Sequence, residues 1–525
     1  MMRRSCPCWV FVWLLLPFGL TAHAADRPVA LGRAGKVPGV TSWIVPPTPN
    51  GLIPNQSWLS IGSSPDGQIY ITGSDHKTNA ALYRLGRQEA GLVYAGDARA
   101  ASEAAANWLP GETAQKFHVR PLYYRGRLYL ATADFTDEND GFLNHRGFHW
   151  YAYDPAAGRF SDLSATEPRG VGGEHASIVA MAIDEERGLI YGHDTPRGNL
   201  YCYNIATGRT ANLGKPPFVP EGCHMPGRYL WINHAGRVYF TISACGDVLF
   251  YDPKTGFGER KEWTIATEDH GAMVFRTGTQ SLDHERVYLA DATGRIYRYD
   301  KQDDSFQLLG RAGSDGADYQ WKGSLKLRAF NLTADEKKIY FINDDAKVSA
   351  FWEWDIASHR TKRLCDLSAL DDRIGAGKFN IHGGNDSWDD DGYLYFCSFG
   401  KDPVNPTELI LSRLDPVRLK VQLGLLADLV EVNVSMSDAT TIRFRRNGGT
   451  SASQQVILRV QPAGTLDAPA SFRQLTFLAG SDRVDVAVHE LLSGPGAERG
   501  KMVITVLGNG DTYRAGADRI IEIAR

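Results

Sequence analysis

The chain has 525 residues, with 57 lysines and arginines against 61 aspartates and glutamates, a formal net charge of −4. So even a balance supplies neither the basic surface that nucleic acid requires nor one suited to an acidic membrane. Fifty-four glycines and 22 tyrosines suit a chain of strands and tight turns.

From the N-terminus, Arg3 and Arg4 form a basic region, Trp9 to Leu20 an apolar run, and Ala22-His23-Ala24 a small-x-small site. That order predicts a secretory signal peptide over residues 1–24 and a secreted or periplasmic mature chain. No later segment is apolar for long enough to predict a membrane span. Cys202, Cys223, Cys245, Cys365 and Cys397 follow. An odd, scattered set allows a bridge but not a disulfide framework, so a large core must hold the fold.

Between residues 55 and 420 one pattern returns seven times: QIYIT, RLYLA, LIYGH, RVYFT, RVYLA, KIYFI and YLYFC. Their tyrosines (Tyr70, Tyr129, Tyr191, Tyr239, Tyr288, Tyr340 and Tyr395) stand 48 to 62 residues apart. Most copies follow a turn such as PDG, YRG, EERG or DDDG. Six lead to a second strand ending in an aromatic residue or Leu and then Asp or Asn, as in Tyr153-Asp154 and Tyr299-Asp300. Each unit reads as four short strands, and seven such units predict a seven-bladed β-propeller over residues 25–420.

Beyond this the repeat stops. VEVNVSMSDATTIRFRRNGG, ASFRQLTFLAGSDRVDVAVHEL and KMVITVLGNGDTYRAGADRIIEI alternate apolar and polar residues with period 2, predicting a small β-sandwich over residues 421–525. The fold class is therefore all-β, a seven-bladed propeller followed by a sandwich. RFRRNGG, LTFLAGSDRVDVAV and KMVITVLGNGDTYRAGADRIIEI, in that order, resemble the Calx-β family. The resemblance implies a Ca²⁺ site before the penultimate strand, but Gly496-Ala497-Glu498-Arg499-Gly500 stands there and does not supply the acidic cluster.

The repeat assigns the histidines to faces. In a propeller, the loop into each innermost strand and the loop joining the second strand to the third open on the same side. His118, His175, His224, His270 and His382 fall near the starts of innermost strands, and His76, His145, His149 and His193 in or beside second-to-third-strand loops. Arg120, Arg146, Arg197 and Arg228 map to the same face. Imidazoles that titrate near neutrality, beside arginines that fork onto carboxylate or sulfate, suit an anionic ligand with a proton to be moved. There is no CxxC, HExxH, GxSxG or P-loop pattern in the predicted mature chain. Cys223-His224 leaves a structural Zn²⁺ as an alternative, like Ca²⁺ in the tail, and Asp134, Asp137, Glu138 and Asp140 leave a carboxylate-pair hydrolase as another.

KFHVRPLYYRGRLYLATADF, followed by NHRGFHWYAYDP, resembles the secreted bacterial propeller polysaccharide lyases that cleave ulvan, a sulfated, uronate-containing polymer. The resemblance implies β-elimination without a cofactor. It makes His118 and His145 the proton-transfer pair and Tyr191 the accompanying tyrosine. Arg228 is the expected carboxylate neutraliser, with Arg120, Arg146, His149, His175, Arg197, His224 and His382 expected to line the substrate. The implied partner is an acidic polysaccharide, taken by a monomer. The competing expectation is a propeller that binds an acidic glycan or a protein without cleaving it.

Overall fold

The computed structural model describes residues 29–86, 91–134, 145–219, 226–242, 247–263, 274–313, 327–343, 349–374, 381, 383–401, 406–464, 470–492 and 501–524. It is an all-β molecule of short antiparallel sheets, β-propeller-like in their succession. Six of the predicted φ-Tyr-φ segments are the second strand of their sheet: Ile69–Ser74, Arg127–Ala133, Leu189–Thr195, Val238–Thr241, Arg286–Ala290 and Lys338–Asn343. The seventh, Leu394–Ser398, is the end strand of its sheet, with Ile381 and Trp388 bridging to it from outside. The turn before each holds a residue at positive φ, supplied by Gly67, Gly126, Gly188, Gly236 and Gly392 and, where glycine is missing, by His284 and Glu336.

The third sheet shows the unit. Ser177–Asp184, Leu189–Thr195, Leu200–Asn204 and Arg209–Gly214 pair in chain order, with Tyr191 opposite Ala182 on one side and Cys202 on the other. The sheets of Trp231–Arg260, Thr277–Arg311 and Leu327–Asp366 repeat it. Packing joins each to the next. Ala180, Tyr191 and Leu200 share one apolar cluster with Leu230, Phe240 and Leu249, and Tyr229, Trp231 and Tyr239 share another with Phe275, Leu289 and Tyr297.

Two features depart from a simple reading of the repeat. Val40–Ile44 and Arg33–Ala34, from the beginning of the chain, form the outer strands of the last sheet, with Val40 opposite Leu414 and Ile44 opposite Ile410. That sheet then packs on the first through Trp43, Tyr395 and Leu411 against Ile61, Ile71 and Tyr83. The series is thus closed by its own N-terminus.

The tail forms two four-stranded sheets, Glu431–Asp438 with its partners and Gln454–Pro462 with its partners. They face each other across one core of Val432, Val434, Phe444, Leu458, Ile504 and Val506. Helix Pro416–Gln422, capped by Asp415 accepting from the Arg418 N–H at 3.0 Å, leads towards it. The tail is anchored on the last sheets by ion pairs. Lys420 Nζ meets Glu353 Oε2 at 2.6 Å and also Asp511, all three nearly sealed from solvent. Arg459 forks onto Asp390 at 2.7 and 2.9 Å. At the contact Gly508 leaves no space for a side chain: a Cβ there would lie 2.1 Å from the Asp391 carbonyl oxygen.

Candidate functional site

Residues that enter the innermost strands line the molecule's central channel, and a cavity of about 880 Å³ runs along it. His118, Arg120, Arg228 and Tyr229 line its middle. Glu185, Asp283 and Glu285 line its lower part, together with Arg459 and Phe472 of the tail.

Four groups of polar side chains stand on or below the predicted face. In the first, the Trp58 ring lies 5.8 Å from His118, stacked, and 5.7 Å from His76. The Lys116 ammonium lies 5.1 Å from the indole and 2.6 Å from His76 Nε2. Burial, with the Lys116 charge added, holds His76 down to about 4, so it is the neutral acceptor.

The second group surrounds His149, which is 3% exposed. Its Nδ1 is 2.9 Å from Asp162 Oδ2 and its Nε2 3.1 Å from Glu112 Oε1. Arg146 donates to both Glu112 oxygens at 3.0 and 3.1 Å and to the Asn107 carbonyl at 2.8 Å. Against the opposing effect of burial, the two carboxylates raise His149 above the usual imidazole range, and His149 in turn lowers both of them. This is a framework network that pins Arg146 and His149 in place.

His145, one residue before Arg146, belongs to the third group. His175 Nδ1 donates to the His145 carbonyl at 2.8 Å, across the short ribbon of Gly147–Phe148 and Gly173–Glu174. Neither His145 ring nitrogen meets a hydrogen-bond partner among the described residues. Burial, then the neighbouring His175 and Arg197, bring the ring down to about 4. Arg197 is exposed.

The fourth group gathers around Arg228, the one of its members that lines the cavity. Arg228 precedes strand Trp231–Ile232, Arg276 precedes Thr277–Gln280, and Arg328 is the second residue of Leu327–Leu332. Burial, then Arg276 and Arg328, depress Arg228 to about 9, and burial and Arg328 depress Arg276. His193, fully buried with its ring 4.9 Å from Phe240, is brought down by burial, with the Arg228 charge adding, to about 3. Below these, Arg120 pairs with Asp386, whose other oxygen accepts from Thr279 Oγ1 at 3.0 Å. That chain spans the channel from the second sheet to the seventh and fifth.

Several expectations change with these positions. His118 and Arg228 share one cavity, and His145, His175 and Arg197 share another part of the same face. Tyr191 is different: it is 1% exposed, inside the cluster between the third and fourth sheets, its hydroxyl beside Cys202. The other repeat tyrosines are held the same way, Tyr395 donating to Asp389 at 2.8 Å and Tyr340 to Glu353 at 3.2 Å. Tyr191 is therefore framework, and the tyrosines of the cavity wall are Tyr123, Tyr124 and Tyr229. Arg120 and Arg146 carry carboxylate partners already, and His149 is sealed by two, so none of the three is a ready contact for substrate. Asp134 of the hydrolase alternative is buried and accepts from the Gln115 N–H, and burial raises it to about 7. His224, His270, His382, Cys223, Cys245, Asp137, Glu138 and Asp140 lie outside the described residues. Among the described residues no cluster of three or more His, Cys, Asp or Glu forms a metal site. Arg276 and Arg328 are not singled out by the sequence, because FRTG and LRAF carry no motif. Only their common place at the start of an innermost strand marks them.

No protein-family model matches the chain, and no curated protein does. Similar solved structures include virginiamycin B lyase from Staphylococcus aureus, at 12% identity and TM-score 0.43 over 69% of this chain and 97% of that one. They also include the RRP9 WD40 repeats, at 9% identity and TM-score 0.43 over 73% of this chain and 99% of that one. A third is the Swd1 β-propeller domain of Myceliophteria thermophila, at 9% identity and TM-score 0.43 over 68% and 96%. The likeness concerns fold alone.

Proposed function

We propose that the chain is a secreted polysaccharide lyase: a seven-bladed propeller with a Calx-β-like sandwich, cleaving a uronate-containing glycan by β-elimination. The observation that supports this reading is the shared cavity of His118 and Arg228. Elimination needs such a combination. A guanidinium on the uronate carboxylate stabilises charge as the adjacent carbon loses its proton. An unprotonated imidazole accepts that proton. The electron pair becomes the new carbon–carbon double bond, the bond to the 4-linked oxygen breaks, and that oxygen takes a proton. Arg228 is assigned the first role, His118 and His145 the proton transfers, and Tyr229 replaces Tyr191 as the tyrosine at hand. No cofactor enters these steps.

A second reading, a propeller that binds acidic glycan without cleaving it, draws on His118 itself, which is only 4% exposed. One experiment separates the two. Incubation with ulvan and with other polyuronates is followed by the ultraviolet absorbance of an unsaturated uronate. The lyase reading expects product, reduced about 10²-fold or more in Arg228→Gln and unchanged in Arg298→Gln on an outer strand. Binding of several acidic polymers with no unsaturated product from any would leave only the second reading.

A further inference from the structure

An imidazole turns about a broad, two-fold torsion, so the plane of a working histidine has to be fixed from outside. At His118 an indole does this. The Trp58 ring stacks on His118 with centroids 5.8 Å apart and planes 21° from parallel. Turning the imidazole out of that plane would drive its edge into the indole. His118 lines the cavity although it is 4% exposed, so little more than an edge of the ring is open to a ligand. The indole is itself pinned from three sheets. His76 of the first lies 5.7 Å away, the Lys116 ammonium of the second 5.1 Å, and Phe399, following Leu394–Ser398 of the last, meets it edge-on at 5.8 Å.

The backbone before the first innermost strand, Ile61–Ser63, is shaped to deliver this side chain. Ile61 stands opposite Ile71, and Gln56 opposite Ser74. The entering segment therefore carries two more residues than the strand it pairs with, and Ser57, Trp58 and Leu59 bow out between the two attachments. Gln56 and Ser74 exchange backbone bonds at 3.2 and 2.9 Å, and the Thr72 N–H donates to the Ser60 carbonyl at 3.1 Å. Inside the bow Leu59 is held at φ +56°, which a bulky side chain rarely adopts, and the Ser57 and Ser60 hydroxyls meet. Strain of this kind persists where the surroundings impose it, and a bulge re-aims the side chain it carries. We propose that Trp58 is a positioning residue for His118: the bulge sets the indole against the imidazole and so fixes how the ring edge meets a substrate in the channel. The proposal rests on the lyase reading for the proton that His118 moves, but not for the stacking. A misplacement of about 1 Å costs a proton transfer about 10²-fold in rate, so a flat platform under the ring has kinetic weight.

The test uses the full chain, isotope-labelled at histidine, with the His118 resonances assigned by their loss in His118→Gln. In the wild type the His118 ring protons are expected upfield of those of the exposed His234, through the ring current of the indole, with a nuclear Overhauser contact to Trp58. Trp58→Leu is expected to lose both, and Trp58→Phe to keep a stacked ring. Formation of unsaturated product from a polyuronate supplies the kinetic half. In Trp58→Leu kcat should fall about tenfold or more while KM stays within about twofold, and Trp58→Phe should recover most of the loss. Trp58→Met, which keeps bulk without a flat face, stands in if Trp58→Leu does not fold. A His118 resonance that the substitution does not move overturns the proposal. So does a moved resonance with kcat unchanged, which makes Trp58 packing alone. A raised KM with kcat unchanged also overturns it, by making Trp58 a contact of the substrate. Wild-type protein that yields no unsaturated product from any polyuronate overturns the lyase reading and this role together, whereas product from an unimpaired Trp58→Leu enzyme overturns this role only.

Discussion

Two histidines four residues apart titrate in opposite directions, and the difference is one of partners. His149 lies between Asp162 and Glu112 and is raised; His145 is half-buried beside His175 and Arg197 and is lowered to about 4. The consequences for stability have opposite signs. The His149 contribution is complete below the unfolded imidazole value and is lost as pH rises through the higher folded one. That of Glu112 and Asp162, both lowered, is present above the carboxylate range and lost as pH falls through their folded values. His145 and His193 are lowered, so stability declines as pH falls from the ordinary imidazole value towards about 4 and about 3 respectively. Substituting His149→Gln leaves Asp162 sealed with a weaker partner and is expected to cost about 3 kcal/mol. Chemical denaturation measures this, and the difference from wild type should narrow above the folded His149 value and again in acid. Proton NMR provides a second check. The exposed His234, raised through its bond to Glu285, should titrate above the ordinary imidazole range, and His145 should remain neutral until about pH 4. A His145 resonance that titrates near neutrality would remove it as a base that is unprotonated at working pH.

At the scale of strands, all seven φ-Tyr-φ segments are legible in the sequence, because period and turn chemistry are local properties. The tyrosines fill gaps between sheets, and Tyr239, Tyr288, Tyr340 and Tyr395 also latch their hydroxyls onto acids. That explains why Tyr191, which the resemblance marks for proton transfer, is a packing residue. The closing strand is illegible for a different reason. Val40–Ile44 pairs with Ile410–Leu414 across almost the whole chain, and a five-residue strand does not encode its partner. Trp43→Ala, which empties a site 4% exposed in the cluster joining the last sheet to the first, is expected to cost about 3–5 kcal/mol. It should also expose the edge of Ile410–Leu414 to aggregation, as light scattering would register. The site is legible to the same degree. The repeat assigns histidines to one face, but ion pairing is decided by side chains far apart in sequence. Arg120 with Asp386 and Arg146 with Glu112 cannot be read from spacing.

Over the whole molecule, the tail is fastened to the ring rather than tethered to it. Lys420 is buried between Glu353 of the sixth sheet and Asp511 of the tail, and Lys338 adds a contact to Glu353 at 2.8 Å. Lys420→Met leaves two buried carboxylates short of a cation and is expected to cost about 3–5 kcal/mol. Calorimetry should show one transition in the wild type and a separate, earlier one for the tail in the variant. This fastening brings Arg459 and Phe472 into the lining of the same cavity as His118 and Arg228. The central claim is that an acidic sugar sits where the innermost strands begin, with its anionic group on arginine. A crystal structure of the full chain with an oligouronate tests it most directly. The expected result is the sugar on that face, its carboxylate on Arg228 and its ring within reach of His118. A sugar lodged instead against Arg459 and Phe472, with Arg228 untouched, would contradict it.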